Sequence, residues 1–372
     1  MTATAERIRE QAYSLGFCAV GFAAAGPAPG ADRLRRWLAE GMHGTMDYMA
    51  ARASEREDPR LLVAGARTVV MLAMDYYHPP EAAETLQAGQ GRVARYAWGR
   101  DYHNVIGKRL MKLQRFIRSE HPELRVYKEV DTGPVLERSW AQEAGVASMG
   151  KASNVLRREQ GSWLLLGSLV LDRALPVDLP APDLCGACTA CIDVCPTGAI
   201  LAPGVVDARQ CIAYLTIEHR GSISPTLRSA LGSWVFGCDD CQTVCPWSDR
   251  RSSYGEPALA PIPGRSLLNL EALLGSDDEE FHSTYLGSPL RRAGGPGIRR
   301  NAALVLGNQG RAAAIPSLDR ALGDDSAPSV RGAAAWALGE IGGRRARAAL
   351  DRRRNDPDTG VTEEVENALA RS

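Results

Sequence analysis

The sequence predicts a chain of three parts: a mixed α/β domain over 1–178, a cysteine-rich module over 179–252, and a tail over 253–372 that opens on a linker and continues as helical repeats. Three observations predict it. Strand-like and helix-like periods alternate through the first part. Eight of the nine cysteines fall between Cys185 and Cys245. Beyond residue 290, Ala-rich segments recur at a fixed offset, as stacked helical repeats do.

In the first part, Ile8, Ala12 and Leu15 have helical spacing over 4–16, and Phe17 to Phe22 read as a short buried strand. A helix follows from about Asp32 to Glu40, ended by Gly41. Arg67 to Tyr76 is the strongest strand, β-branched and apolar between turn residues. Val105 to Ile117 is predicted helical, Arg125 to Val130 a strand, Val135 to Ala144 a helix stopped by Gly145, and Ser162 to Leu171 another buried strand. Ser253 to Pro263, rich in proline and glycine, reads as loop. Cys18, beside Phe17 in a buried strand, reads as a small hydrophobe.

Composition sets the outer limits. At 372 residues the chain exceeds what one core organises, and 45% apolar with 24% charged residues excludes a wholly disordered chain. Lys+Arg and Asp+Glu both number 44, so no overall basic charge argues for nucleic acid, although a basic face can hide in a zero total. No apolar run reaches the ~18–20 residues of a membrane span. The longest, Trp163 to Leu171, is interrupted by Gly167 and Ser168. The first residues, MTATAERIREQAYSLG, lack the basic and apolar regions of an export signal, so a cytoplasmic chain without membrane contact is expected.

The cysteine spacing names a chemistry. Cys185, Cys188, Cys191 and Cys195 precede Pro196 as C-x2-C-x2-C-x3-C-P; Cys211 then stands alone before Cys238, Cys241, Cys245 and Pro246. This is the two-cluster bacterial ferredoxin pattern, in which the last cysteine of each C-P pair ligates the other cluster. One [4Fe–4S] cluster is therefore assigned to Cys185, Cys188, Cys191 and Cys245, and a second to Cys195, Cys211, Cys238 and Cys241. Two four-cysteine zinc sites are the alternative. Zinc knuckles pair C-x2–4-C with a distant second pair, however, and have no need of three successive x2 spacings.

In the tail, Asn301 to Gly307 (NAALVLG) and Ala333 to Gly339 (AAAWALG) superpose at an offset of 32, with Arg299 and Arg331 at matching positions, and Val365 to Leu369 repeats the apolar part. Helices ending at the two glycines are expected, as in HEAT-like repeats. Arg291, Arg292, Arg299, Arg300, Arg311, Arg331, Arg344, Arg345, Arg347 and Arg352 to Arg354 enrich this tail. Arginines at equivalent repeat positions would line one side, as a phosphate backbone requires.

The cysteine module CGACTACIDVCPTGAI with GCDDCQTVCPW, set between an α/β domain and helical repeats, resembles that of the epoxyqueuosine reductase family. The resemblance extends to Asp131-Thr-Gly-Pro-Val-Leu-Glu-Arg138, which is similar to the family's active-site segment, to Gly150-Lys-Ala-Ser-Asn154, similar to its glycine–lysine turn, and to Tyr214-Leu-Thr-Ile-Glu218. It implies a cobalamin-binding α/β domain, base-off cobalamin, and reduction of the epoxide of epoxyqueuosine at the tRNA wobble position to queuosine. Removing an epoxide oxygen as water takes two electrons and two protons. The resemblance makes Asp131 the proton donor. Its apolar neighbours Val130, Pro134 and Val135 allow burial to raise its pKa; the competing role is a helix N-cap ahead of Pro134.

Cobalamin contacts carry over by motif to Arg56, Asp131, Lys151, Ser153 and Asn154, with Asp239 and Asp240 between cluster ligands; Ser153 stands where the family often has threonine. Asp101-Tyr-His103-Asn-Val-Ile-Gly107 nearly spells a cobalt-ligating D-x-H-x-x-G motif. Its glycine comes one residue late and it opens a helix, so His103 reads as a surface or pocket residue. No G-x-G-x-x-G nucleotide fingerprint follows a clear strand, so electrons must come from an external low-potential donor. A monomer is expected. Two other readings stand beside this one: a corrinoid reductive dehalogenase-like enzyme, and an iron–sulfur electron-transfer protein whose tail docks a protein.

Overall fold

The computed structural model describes residues 2–80, 85–252 and 254–371; Ser253, where the predicted loop begins, lies outside them. The chain divides into two compact units, each assembled from three stretches. One comprises the residues up to His78 with Arg100–Ala208 and Asp239–Ala260; the other comprises Pro79–Gly99, Arg209–Cys238 and the residues from Pro261. The three consecutive spans read along the sequence are thus interleaved in these units.

The first unit is built on a sheet of β1 (Ala19–Ala24), β2 (Thr68–Asp75), β3 (Val126–Glu129) and β4 (Leu164–Leu171). Its order is β1-β2-β4-β3 and every neighbouring pair is antiparallel. β2 is buried along its whole length and β4 along nearly all of it. Helices on both faces explain this, because a sheet covered twice has no solvent side on which to alternate. Among them are α1 (Thr2–Ser14), α2 (Ala31–Ala39), α3 (Tyr102–Glu120) and α4 (Glu137–Glu143). On one face α4 packs Trp140 and Ala141 against Val69, Met71, Ala73, Leu164 and Leu166. On the other, Ile106 and Leu110 of α3 pack over Gly167. The predicted elements are all present, with β1 two residues later than read and α3 three residues earlier, because Asp101 caps it with a hydrogen bond to the His103 amide.

Gly21 marks the closest approach in this core. A Cβ there would lie 1.8 Å from the Ala144 carbonyl oxygen, a backbone atom that cannot swing aside. Gly21→Ala is therefore expected to cost about 3 kcal/mol through overpacking. Thermal or denaturant unfolding of the variant against the parent checks this; an unchanged midpoint would contradict it.

In the second unit, Gln90–Val93 is the central strand of a small sheet, parallel to Trp234–Phe236 and antiparallel to Leu267–Asn269. The tail folds as α5 (Gly294–Gln309), α6 (Ile315–Asp324), α7 (Pro328–Ile341), α8 (Gly343–Asp351) and α9 (Thr359–Arg371). Two expectations are corrected here. Gly307 and Gly339 do not end their helices but lie inside α5 and α7. A Cβ on Gly307 would meet Trp336 and Ala337 of the next repeat, and one on Gly339 would meet Ala368 of the repeat after that. The glycines recur because successive helices cross there almost backbone to backbone. Nor do Arg299 and Arg331 offer themselves to phosphate. Arg299 is buried against Asp278 and Asp325, and Arg331 against Asp356, each fastening one repeat to an adjoining loop. No helix among the described residues is long and apolar enough to cross a membrane.

Candidate functional site

Two features of the first unit bear chemistry, a cysteine-lined cavity and a carboxylate–imidazole pair. The cavity, open to solvent on one side, is lined by Cys185, Cys188, Cys191, Cys241 and Cys245 with apolar Leu156, Leu184, Pro246 and Trp247. Local folding explains the convergence. The Cys188 amide donates to the Cys185 carbonyl in a tight turn, and a short helix, Ala190–Asp193, carries Cys191. A matching helix, Asp240–Thr243, carries Cys241, and Cys245 caps a third, Pro246–Asp249. The Trp247 indole donates to the Leu184 carbonyl at 2.9 Å, tying the end of the second cysteine run to the start of the first. Burial pushes the Cys191 thiol up, and negative charge at Cys185, Cys245 and Cys188 pushes the same way. Those four sulfurs are thus close enough to repel as thiolates, which is what a cationic cluster core relieves. The donor set fits the first predicted cluster.

The other predicted ligands are placed as follows. Cys195 lies next to the Thr197 hydroxyl at 3.6 Å, and Cys241 receives the Asn154 amide at 3.7 Å. In the second unit, Cys211 caps helix Ile212–Ile217 and Cys238 follows strand Trp234–Phe236. Asn301 of α5 donates to the carbonyls of both Thr216 and Val235, while the Thr216 hydroxyl accepts from the Gly237 amide. Beside it Arg300, only 1% exposed, donates to the carbonyls of Leu215, His219 and Gly221. Burial pushes that guanidinium down to about 10, so it stays charged at neutral pH. These two residues were not singled out as site residues; their signal was a polar pair inside an otherwise apolar repeat.

Asp131 stands at the start of the loop between β3 and α4 with φ 59, a left-handed backbone that only a built loop imposes on aspartate. It is not a helix cap: α4 begins six residues later behind Leu136. Its carboxylate Oδ2 accepts from the Tyr102 hydroxyl at 2.6 Å and faces His103 Nε2 at 3.2 Å. The other imidazole nitrogen, Nδ1, lies 2.7 Å from Asp101 Oδ1.

The electrostatics differ from the sequence expectation. Desolvation by the loop pulls the Asp131 carboxyl upward, but the hydrogen bonds from His103 and Tyr102 outweigh it and leave the group below the usual carboxylate range. Its side chain is 58% exposed, so these bonds are made at the edge of solvent. Burial lowers His103 too, yet its two carboxylate partners raise it to about 9. The buried carboxyls are its neighbours. Glu137, which accepts from the Asp131 amide at 3.2 Å, is pushed well up by burial and by the charges of Asp131 and Glu129. Burial also raises Glu129, which accepts from the Tyr127 hydroxyl and the Val135 amide. The two neighbouring carboxyls are thus the more deeply buried ones, while the Asp131 side chain reaches solvent.

Of the proposed cobalamin contacts, Arg56 is 6% exposed, and its buried Nη1 has no hydrogen-bond partner among the described residues. Lys151 bonds the carbonyls of Gly186 and Cys188 in the cysteine cavity, where Asn154 also points. Ser153 has φ 61, and its carbonyl accepts from Arg138. Asp239 is buried at the cap of helix Asp240–Thr243, and Asp240 is its first residue. Cys18 donates to the Ala73 carbonyl, and burial pushes its thiol up to about 12, so it is inert as the sequence suggested.

Clustered thiols on paired short helices, with an ionisable pair elsewhere in the same unit, are the donor set and proton source that an iron–sulfur oxidoreductase needs. Family models agree: residues 184–248 match the 4Fe-4S double cluster binding domain, residues 56–132 match Epoxyqueuosine reductase QueG, DUF1730, and residues 286–370 match HEAT repeats. The chain is 43% identical to the epoxyqueuosine reductase of Xanthomonas campestris pv. campestris, over 88% of this chain and 93% of that one. It is 40% identical to that of Escherichia coli (strain K12), over 82% and 81%. Among solved structures, an epoxyqueuosine reductase with a tRNA-Tyr epoxyqueuosine-modified tRNA stem loop superposes with TM-score 0.93 at 31% identity, covering 98% of each chain. One from Bacillus subtilis, its aspartate catalytic loop swung out of the active site, gives 0.91 at 30% identity and the same coverage. The chain belongs to the epoxyqueuosine reductase family, and its activity is reduction of the epoxide of epoxyqueuosine.

Proposed function

We propose that the chain acts on epoxyqueuosine at the wobble position of tRNA, in the cytoplasm and as a monomer, with Asp131 delivering the proton that lets the epoxide oxygen leave as water. The observation that carries this is the Asp131 loop: an aspartate in left-handed backbone whose amide and carboxylate are each held by a named partner. The eight cysteines hold two [4Fe–4S] clusters in the sets read from spacing, fed by an external low-potential donor. The three spans read along the sequence divide the work as cofactor domain, cluster module and tRNA-binding tail.

A corrinoid fits the residues present, because Arg56 keeps a buried, unpartnered N–H and corrin side chains carry amide carbonyls. Arg56, Lys151, Ser153, Asn154, Asp239 and Asp240 are the residues that would hold it. When bound, cobalamin supplies two-electron chemistry at carbon or oxygen that no side chain has. The protein's own part is to bind and orient the substrate and to place a proton at Asp131 Oδ2. For tRNA, the tail arginines available are the exposed ones, such as Arg344 and Arg345 of α8, and not Arg299 or Arg331.

Anaerobic reconstitution followed by metal analysis and mass spectrometry of digested epoxyqueuosine-containing tRNA tests the whole reading. About eight irons and one cobalt per chain with conversion to queuosine are expected; iron without cobalt, or zinc in place of iron, would sink it. Arg344→Ala with Arg345→Ala is expected to weaken tRNA binding several-fold and lower the salt slope by about two, at unchanged stability.

A further inference from the structure

The Asp101-Tyr102-His103 segment is not accounted for by cluster or corrinoid binding, and its geometry is specific. Asp101 Oδ1 accepts from the His103 amide at 2.9 Å and lies 2.7 Å from His103 Nδ1, so one oxygen both starts α3 and fixes the ring. The ring stacks on Tyr102 at 4.1 Å, and its remaining nitrogen faces Asp131 Oδ2, the oxygen that the Tyr102 hydroxyl also reaches. A carboxylate at each nitrogen makes both nitrogens donors. Other groups facing the pair are Glu137 and Arg138 of α4 and Glu129 at the end of β3. His103 is 32% exposed, so its proton can be replaced from water.

We propose that His103 is a positioning residue that loads Asp131 with the protons the reaction consumes, and that Asp101 fixes its ring for this. The inference rests on the assignment of Asp131 as proton donor. A carboxyl held below its usual range is unprotonated at neutral pH, so Asp131 can deliver only a proton that reaches it as the epoxide oxygen takes one up, and the neighbouring imidazole, raised to about 9, is the group that carries it. In the step, as the epoxide C–O bond breaks and its oxygen gains basicity, the N–H bond at His103 Nε2 breaks and an O–H bond forms at Asp131 Oδ2. Asp131 passes that proton to the epoxide oxygen as its C–O bond breaks. The imidazole then takes a proton from water, and the same passage supplies the second. Two protons and the two electrons of the established reduction turn the epoxide into alkene and water.

The test uses the full chain, reconstituted with clusters and cobalamin and matched in iron content. His103→Gln keeps a hydrogen-bond donor toward Asp131 but cannot ionise. It is expected to lower kcat by ~10²-fold at unchanged KM and to abolish the fall in rate that the parent shows as pH rises through about 9. Independently of activity, the His103 imidazole, followed by NMR in labelled protein, is expected to titrate near 9 and to fall toward its ordinary value in Asp131→Asn. A His103→Gln enzyme with parental kcat and pH profile, beside an inactive Asp131→Asn, would overturn the relay and leave Asp131 as donor. An active Asp131→Asn would overturn both. Should His103→Gln fail to fold, the titration decides alone: a parental imidazole at or below its ordinary value refutes the proposal.

Discussion

Asp131→Asn is expected to abolish conversion of epoxyqueuosine, by ~10²–10⁴-fold in kcat, while leaving iron content, cobalt content and the unfolding midpoint near those of the parent. Asparagine keeps the size and still accepts from Tyr102, so the loop retains its anchors at Glu137 and Glu129. What it loses is the ability to carry a proton, together with the charge that raises His103. Stability shifts with pH in a defined sense. The lowered Asp131 contributes above the ordinary carboxylate range and stops contributing as pH falls through its own depressed value. The raised His103 contributes fully below about 6.5, its ordinary value, and its contribution is lost as pH rises through about 9. Both groups are solvent-accessible, so the effect on stability is small beside that on rate. Quantifying queuosine by mass spectrometry after single-turnover reaction is the deciding measurement; parental rates in the variant would remove Asp131 from the chemistry.

The second large effect is expected far along the chain from any cysteine. Asn301→Leu leaves the buried carbonyls of Thr216 and Val235 without their donor and takes from Arg300 the side-chain oxygen it grips. Unsatisfied buried polar groups cost about 1–3 kcal/mol each, so a loss of roughly 2–4 kcal/mol is expected. The consequence goes beyond stability. Thr216 lies on the helix that Cys211 caps, and Val235 lies on the strand that leads to Cys238. Asn301 therefore sets the spacing of two of the second cluster's assigned ligands. Iron per chain is expected to fall from about eight toward four, with the loss confined to one set of cluster signals in electron paramagnetic resonance. Full iron content at a parental midpoint would show that the helix and strand hold their places without Asn301.

Much of this molecule was legible along the chain, for reasons that are local. The strand at Thr68–Asp75 is apolar and β-branched between turns, and the helices around it carry their period in Ile106, Leu110, Leu113 and Ile117. The cysteine pattern was readable because a cluster's corners demand fixed short spacings; in space one cavity gathers Cys185, Cys188, Cys191 and Cys245, and with them Cys241 of the other assigned set. The small sheet of Gln90–Val93 was not legible, because its three strands are three or four residues long and come from distant parts of the chain.

Charge and glycine were the residues most easily misread. An arginine looks the same in sequence whether it faces water or a buried aspartate, and only packing made Arg299 and Arg331 clamps between repeats. A glycine after leucine reads as a helix stop, until the next helix is seen resting on it at Gly307 and Gly339. The same holds at the reacting end. Sequence by itself determined the residue types: the thiols, the aspartate, and the histidine of a segment that nearly spells a cobalt-ligating motif. Which carboxyl is buried, and which group holds the proton, was decided by tertiary structure, because desolvation and hydrogen bonding act through neighbours in space. That is how Glu137 comes to be the buried acid, Asp131 the carboxylate, and His103 the proton's residence.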